Sequence, residues 1–134
     1  MKQAPEIKLS PNQKGDWAEL SVAARFMALG WSVSKPLSNG LPYDFILDRG
    51  SGLVRVQVKG ARIRDNKVKW NPYKGRVHGS SVYTDVHADL CALFCFDNGK
   101  IYMIPIDLMF KGFKGLRLEQ NKKRDALLAG SFEI

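Results

Sequence analysis

The segment Leu90 to Phe96 (LCALFCF) is apolar at every position. A short unbroken apolar run bounded by turn signals reads as a strand covered on both faces, because a strand with one wet face alternates polar and apolar residues. Asp97-Asn98-Gly99 then turns the chain into Lys100 to Ile104 (KIYMI), and Pro105 ends that second strand. A buried central strand demands layers around it, and 134 residues are enough for one core and too few for two. The expectation is therefore a single α/β domain over residues 1–134, with its core at about 11–105 and a basic C-terminal extension at 106–134.

The remaining elements fit around that strand. Ser10, Pro11 and Gln13 have the pattern of an N-cap, a first-turn proline and a capping-box partner, and Gly30 suits the residue just past a helix end. This predicts a helix over about 11–29, with apolar residues continuing through Trp17, Leu20, Ala24 and Met27. Strands are predicted at Trp31 to Val33, Tyr43 to Asp48, Leu53 to Lys59 with extension to Arg64, and Lys67 to Trp70. Asp65 and Asn66 supply the turn before the last of these. Residues 71–82 have no clear period and read as a long functional loop.

The chain carries a formal net charge of +8, and +7 of it falls between Arg55 and Arg76. A cationic field this localised suits a polyanionic partner. No apolar run reaches the roughly 20 residues needed to cross a bilayer, and residues 1–10 lack the apolar stretch of a signal peptide, so a cytoplasmic protein with no membrane partner is expected. Cys91 and Cys95 lie inside the apolar run and read as buried, reduced thiols; His87 completes a spacing of four that zinc would favour only outside a buried strand. No nucleophile elbow, Walker loop or dinucleotide fingerprint is present, and no small-molecule substrate is expected.

Four polar residues stand where a purely structural sequence would place apolar ones. On a helix turning about 100° per residue, Glu19 falls among Val22, Ala23 and Phe26, where an unpaired carboxylate is costly and needs a partner such as a cation. If Arg49 to Gly52 closes an antiparallel hairpin with Asp48 opposite Leu53, Ile46 pairs with Arg55 and Asp44 with Gln57. Lys59 shares the face of Gln57, while Val54, Val56 and Val58 point the other way. A carboxylate, an amide oxygen, the backbone carbonyl of Val58 and a helical carboxylate make an all-oxygen set suited to Mg2+ or Mn2+. Lys59 would orient a water or stabilise charge on a phosphate, so the residues point to metal-assisted hydrolysis beside a basic surface.

Pro42-Tyr43-Asp44, a spacer, and Gln57-Val58-Lys59, preceded by a helix bearing Glu19, resemble the active-site motif of the PD-(D/E)XK nuclease superfamily. Within it the sequence looks most like a small branch that includes a homing endonuclease encoded in a group I intron. The resemblance runs from about Lys14 to Pro105. It implies a restriction-endonuclease-like core, with an N-terminal helix packed on a mixed, mostly antiparallel sheet of about five strands. Carried over by position, Glu19, Asp44 and Gln57 with the Val58 carbonyl would bind Mg2+, with Mn2+ substituting, and Lys59 would be catalytic. The sequence departs from the superfamily pattern in two ways: Gln57 stands where an acid is common, and no second core helix is evident before Leu90.

Arg62, Arg64, Lys67 and Lys69 alternate along a ribbon that suits a major groove, and Tyr73, Lys74 and Arg76 follow. Lys111, Lys114, Arg117, Lys122, Lys123 and Arg124 form a second basic set. The expected activity is cleavage of double-stranded DNA by a homodimer or homotetramer, since two strands need two sites. The alternatives are a structure-specific nuclease resembling Holliday-junction resolvases, a catalytically inactive DNA-binding protein, and an RNA-directed module. A nucleoid-associated or mobile-element-encoded protein fits the same reading.

Overall fold

The structure is a computed structural model and describes residues 4–71, 87–109, 115–119 and 127–134. Helix α1 (Pro11–Ala28) starts at the capping box read from the sequence. The Gln13 amide N–H donates to Ser10 Oγ at 3.2 Å, and the Gln13 side-chain oxygen accepts from the Ser10 amide at 2.8 Å. The helix ends at Leu29, and Gly30 follows at φ +81°, a conformation that glycine adopts without steric cost. Ala18, Val22 and Phe26, four residues apart, form its buried face. Leu20 and Met27 are largely exposed and Trp17 is covered on one side by Phe94 and Phe96, so the stripe that packs is the neighbouring one, which also carries Glu19 at its edge.

Among the described residues seven strands form one sheet, rather than about five. They are β1 (Ser32–Ser34), β2 (Phe45–Asp48), β3 (Leu53–Arg64), β4 (Lys67–Trp70), β5 (Leu90–Cys95), β6 (Ile101–Pro105) and β7 (Leu116–Arg117). All paired strands are antiparallel except β3 and β5. The unforeseen strand is β7, whose two residues are too few to show any hydrophobic period. Met109, Leu116 and Ala129 are buried in a core cluster with β5 and β6, so the core extends beyond residue 105 to the C-terminal residues.

Long strand β3 is the spine. Leu53 to Val56 pair with β2, Ala61 to Arg64 pair with β4, and Val56 to Ala61 pair with β5. Strand β5 is covered on both faces, as its composition requires. Ala92 and Phe94 meet α1 together with Val56 and Val58, whereas Cys91, Leu93 and Cys95 face the second cluster with Tyr102 and Ile104. Asp89 fixes the start of the parallel pair: its carboxylate accepts from the Arg55 amide at 2.8 Å, from Nε at 3.2 Å and from Nη2 at 3.0 Å. Residues 72–86, where a second core helix and the continuation of the basic segment would fall, lie outside the described residues.

Candidate active site

The register between β2 and β3 pairs Ile46 with Arg55 and Asp48 with Leu53, as the four-residue loop dictates. The ladder ends at Phe45 and Val56. Beyond it the Asp44 amide donates to the Val56 carbonyl at 2.8 Å, and the Asp44 carboxylate accepts from the Val58 amide at 2.7 Å. A side chain thus takes a donor that a regular ladder would give to a carbonyl. The strands part at this point, which lies between the stretch of β3 that carries β2 and the stretch that carries β4. A polar side chain is needed there because a buried N–H without a partner costs about 1–3 kcal/mol.

The same carboxyl is hydrogen-bonded to the side chain of Glu19. Two carboxyls can share such a bond only if one holds a proton. Burial raises the Asp44 carboxyl from its ordinary value to about 7, the bond and charge of Glu19 act in the same direction, and the Val58 amide and Lys35 oppose it. Lys35 Nζ lies 3.7 Å from Glu19 Oε2. The pair of acids opens on a cleft of about 290 Å³, lined also by Asp16, Lys35, Ser38, Asn39 and Tyr43.

Lys59 projects from the sheet face opposite α1. Burial lowers its ammonium below the usual range, and the negative charge of Asp44 opposes that shift. Burial in turn pushes the Cys91 thiol up, so it stays protonated. Gln57 is 9% exposed and is the buried polar residue of the core among those described. Its Nε2 donates to the Val58 carbonyl at 3.1 Å. The structure therefore joins Glu19 to Asp44 and sets Lys59 within electrostatic reach of Asp44. Gln57 and the Val58 carbonyl are joined to each other, adjacent on β3.

The donor set fits a hard divalent cation. Two neighbouring carboxyls, of which Asp44 is disfavoured in its charged form by burial, form a site that a cation would satisfy better. Among the described residues no group of three or more His, Cys, Asp and Glu could hold a metal ion, so an amide and a backbone carbonyl would have to complete the set. Asp16 and Lys35 were not singled out in the sequence. Asp16 could have been found three residues before Glu19 on the same helix side. Lys35 carries no local signal, since its place depends on how β1 meets β2.

The basic ribbon is a tight hairpin. Asp65 and Asn66 turn it with φ of +51° and +58°, the left-handed pair that such a turn requires. Arg62 faces Lys69, Arg64 faces Lys67, and Lys67 in turn pairs with Arg117 of β7. These five side chains share the α1 side of the sheet, the opposite side from Lys59. Arg62 is held: its Nη1 lies 3.3 Å from Asp97 Oδ1 and its guanidinium stands 5.1 Å from the centre of the Phe96 ring. Phe96 lies over Gly60, where a Cβ would come within 2.5 Å of the ring, and Trp17 meets it at 5.2 Å. Lys69 pairs with Asp65 at 2.8 Å. Tyr73, Lys74 and Arg76 lie outside the described residues, as do Lys111, Lys114, Lys122, Lys123 and Arg124.

Comparison with known proteins matches residues 9–134 to the family described as PD-(D/E)XK endonuclease. The chain belongs to the PD-(D/E)XK endonuclease family. It is an endonuclease, and members of this family generally use divalent metal ions. Among solved structures it is similar to a bacterial homing endonuclease, I-Ssp6803I, with 23% identity over 93% of this chain and 89% of that one and a TM-score of 0.69. That likeness shows a shared PD-(D/E)XK fold. Nothing matches among curated proteins. Among the described residues no helix is long and apolar enough to cross a membrane.

Proposed function

We propose that this PD-(D/E)XK endonuclease cleaves double-stranded DNA in a reaction that depends on Mg2+, with Mn2+ able to substitute. The observation that carries the reading is the pairing of Glu19 with Asp44 at the mouth of a cleft, in a chain whose family hydrolyses phosphodiesters. Asp44 and Glu19 would hold the ion, with the Gln57 side-chain oxygen and the Val58 carbonyl as neutral ligands. A bound divalent ion supplies Lewis acidity toward the phosphate and acidifies a water that attacks in line. Asp44 is oriented for this by the Val58 amide, which fixes one carboxylate oxygen. Lys59, weakly basic for a lysine because it is buried, would stabilise charge on the phosphate or handle the proton of the attacking water.

Arg64, Lys67 and Arg117, aligned across three strands, would grip the DNA backbone or read guanine edges, together with Arg62, Lys69, Tyr73, Lys74 and Arg76. One chain carries one such site and a duplex has two strands, so a homodimer or homotetramer is proposed as the working form. A homing role is favoured over junction resolution by the likeness to a homing endonuclease. Plasmid cleavage in Mg2+, Mn2+ or EDTA tests the reading. Cutting should need the metal and disappear in Asp44→Ala and Lys59→Ala while DNA binding persists; cutting that survives Asp44→Ala rejects the site. Binding without any cutting would mark a catalytically inactive DNA-binding protein.

A further inference from the structure

We infer that Lys35 is a phosphate-positioning residue, which holds the DNA backbone against the mouth of the cleft beside Glu19 and Asp44. The inference rests on the nuclease reading above and adds to it a group outside Glu19, Pro42-Tyr43-Asp44 and Gln57-Val58-Lys59.

Strand β1 is locked to β2 through Ser34 and Ile46, and Lys35 leaves it directly. Pro36 follows, and the residue before a proline is confined to extended backbone. Lys35 is thus placed firmly next to the acidic pair even though its side chain is 65% exposed. Its 3.7 Å separation from Glu19 Oε2 is too long for a hydrogen bond, and an exposed ion pair of this kind contributes little to stability. Stability therefore does not explain the position.

Charge does. Asp16, Glu19 and Asp44 all line the cleft, and among the described residues Lys35 is the cation of its lining. A phosphodiester approaching three carboxylates is repelled unless positive charge faces it. The catalytic ion would offset part of that repulsion, and would at the same time take over Lys35's role as partner to Glu19. Lys35 would then be released toward solvent at the cleft mouth, where the exposed Ser38 hydroxyl and Asn39 amide offer further donors. A compact ammonium on a flexible stem suits contact with a phosphate oxygen rather than base reading.

The test uses full-length protein and a fluorescently labelled duplex, with Ca2+ as a supporting cation for binding and Mn2+ for cleavage. Lys35→Gln should weaken duplex binding about tenfold, by a similar factor for unrelated sequences, and should lower the salt slope of log affinity by about one. The enzyme concentration giving half-maximal single-turnover cleavage should rise, Mn2+ binding should be unchanged or tighter, and Lys35→Arg should restore DNA binding. Unchanged duplex affinity and salt slope in Lys35→Gln, with altered Mn2+ binding, would make Lys35 a mere counter-ion of Glu19 and overturn the inference alone. A wild-type protein that neither binds nor cuts duplex DNA would overturn the inference together with the nuclease reading.

Discussion

Asp44→Asn separates what the acid does for chemistry from what it costs the fold. The asparagine oxygen can still accept from the Val58 amide, and its amide nitrogen can donate to Glu19, so both contacts of Asp44 survive. The charge goes. A shift from 3.8 to about 7 corresponds to an upper bound of roughly 4 kcal/mol at ~1.36 kcal/mol per pH unit. Part of the carboxyl still meets solvent, and the Val58 amide and Lys35 offset some of the burial, so we expect about 1–2 kcal/mol of stabilisation in EDTA at neutral pH. For a chain of 134 residues with an unfolding entropy of roughly 2.1 cal/mol/K per residue, that is a Tm gain of about 4–7 °C. The sign follows from linkage. An acid whose folded pKa is raised stabilises the fold fully below its unfolded value, and that contribution is lost as pH climbs through the folded value. The gain from Asp44→Asn should therefore be absent near pH 4, grow between pH 4 and 7, and level off above. Mn2+ should raise the Tm of the wild type and leave the variant nearly unmoved. Thermal melts across pH, with and without Mn2+, read all of this. An Asn variant that is less stable at pH 8, or equally stabilised at pH 4 and 8, would refute the account of the site.

Three further outcomes follow from the packing. Phe26→Ala should cost about 3–5 kcal/mol in urea unfolding, because the ring is fully buried beneath the helix that bears Glu19. Gly60→Ala should cost ~1–2 kcal/mol, since the new Cβ would meet the Phe96 ring at 2.5 Å and the ring is hemmed in by Trp17, Phe94 and Arg62; an unchanged unfolding midpoint would show that the ring moves aside freely. Asp89→Asn should cost about 1 kcal/mol at pH 7. Hydrogen bonding to Arg55 holds the Asp89 carboxyl below its usual range, so this contribution is present above that range and fades as pH falls below about 4, which melts at pH 7 and pH 3 would show.

Much of this arrangement was readable from local rules. The capping box, the left-handed turn at Asp65 and Asn66, the doubly covered β5 and the β2–β3 register each depend on residues a few positions apart. Glu19 was legible for the same reason, since its angle on the helix demanded a partner. The partners themselves were not. Asp97 reaches back to Arg62 from 35 residues away, and it turns one cation of the basic ribbon into a held side chain. Lys35 meets Glu19 only because β1 runs beside β2, and β7 finds β4 through pairing too short to leave a period in the sequence. The slip at Asp44, which gives Val58 a carboxylate instead of a carbonyl, is likewise set by where two strands stop pairing, which no residue pattern encodes.

Strand β3 runs unbroken from Leu53 to Arg64, so Val58, whose amide fixes Asp44, and Arg64 are tied to one stiff length of backbone and share one side of the sheet. Their six-residue separation spans ~20 Å at ~3.3 Å per residue, close to six base-pair steps of roughly 3.4 Å. In the proposed complex the strand is a ruler. The offset between the bond that is cut and the bases that are gripped is counted in amino acids, and lengthening β3 by a pair of residues would move the cut along the duplex while every side chain kept its face.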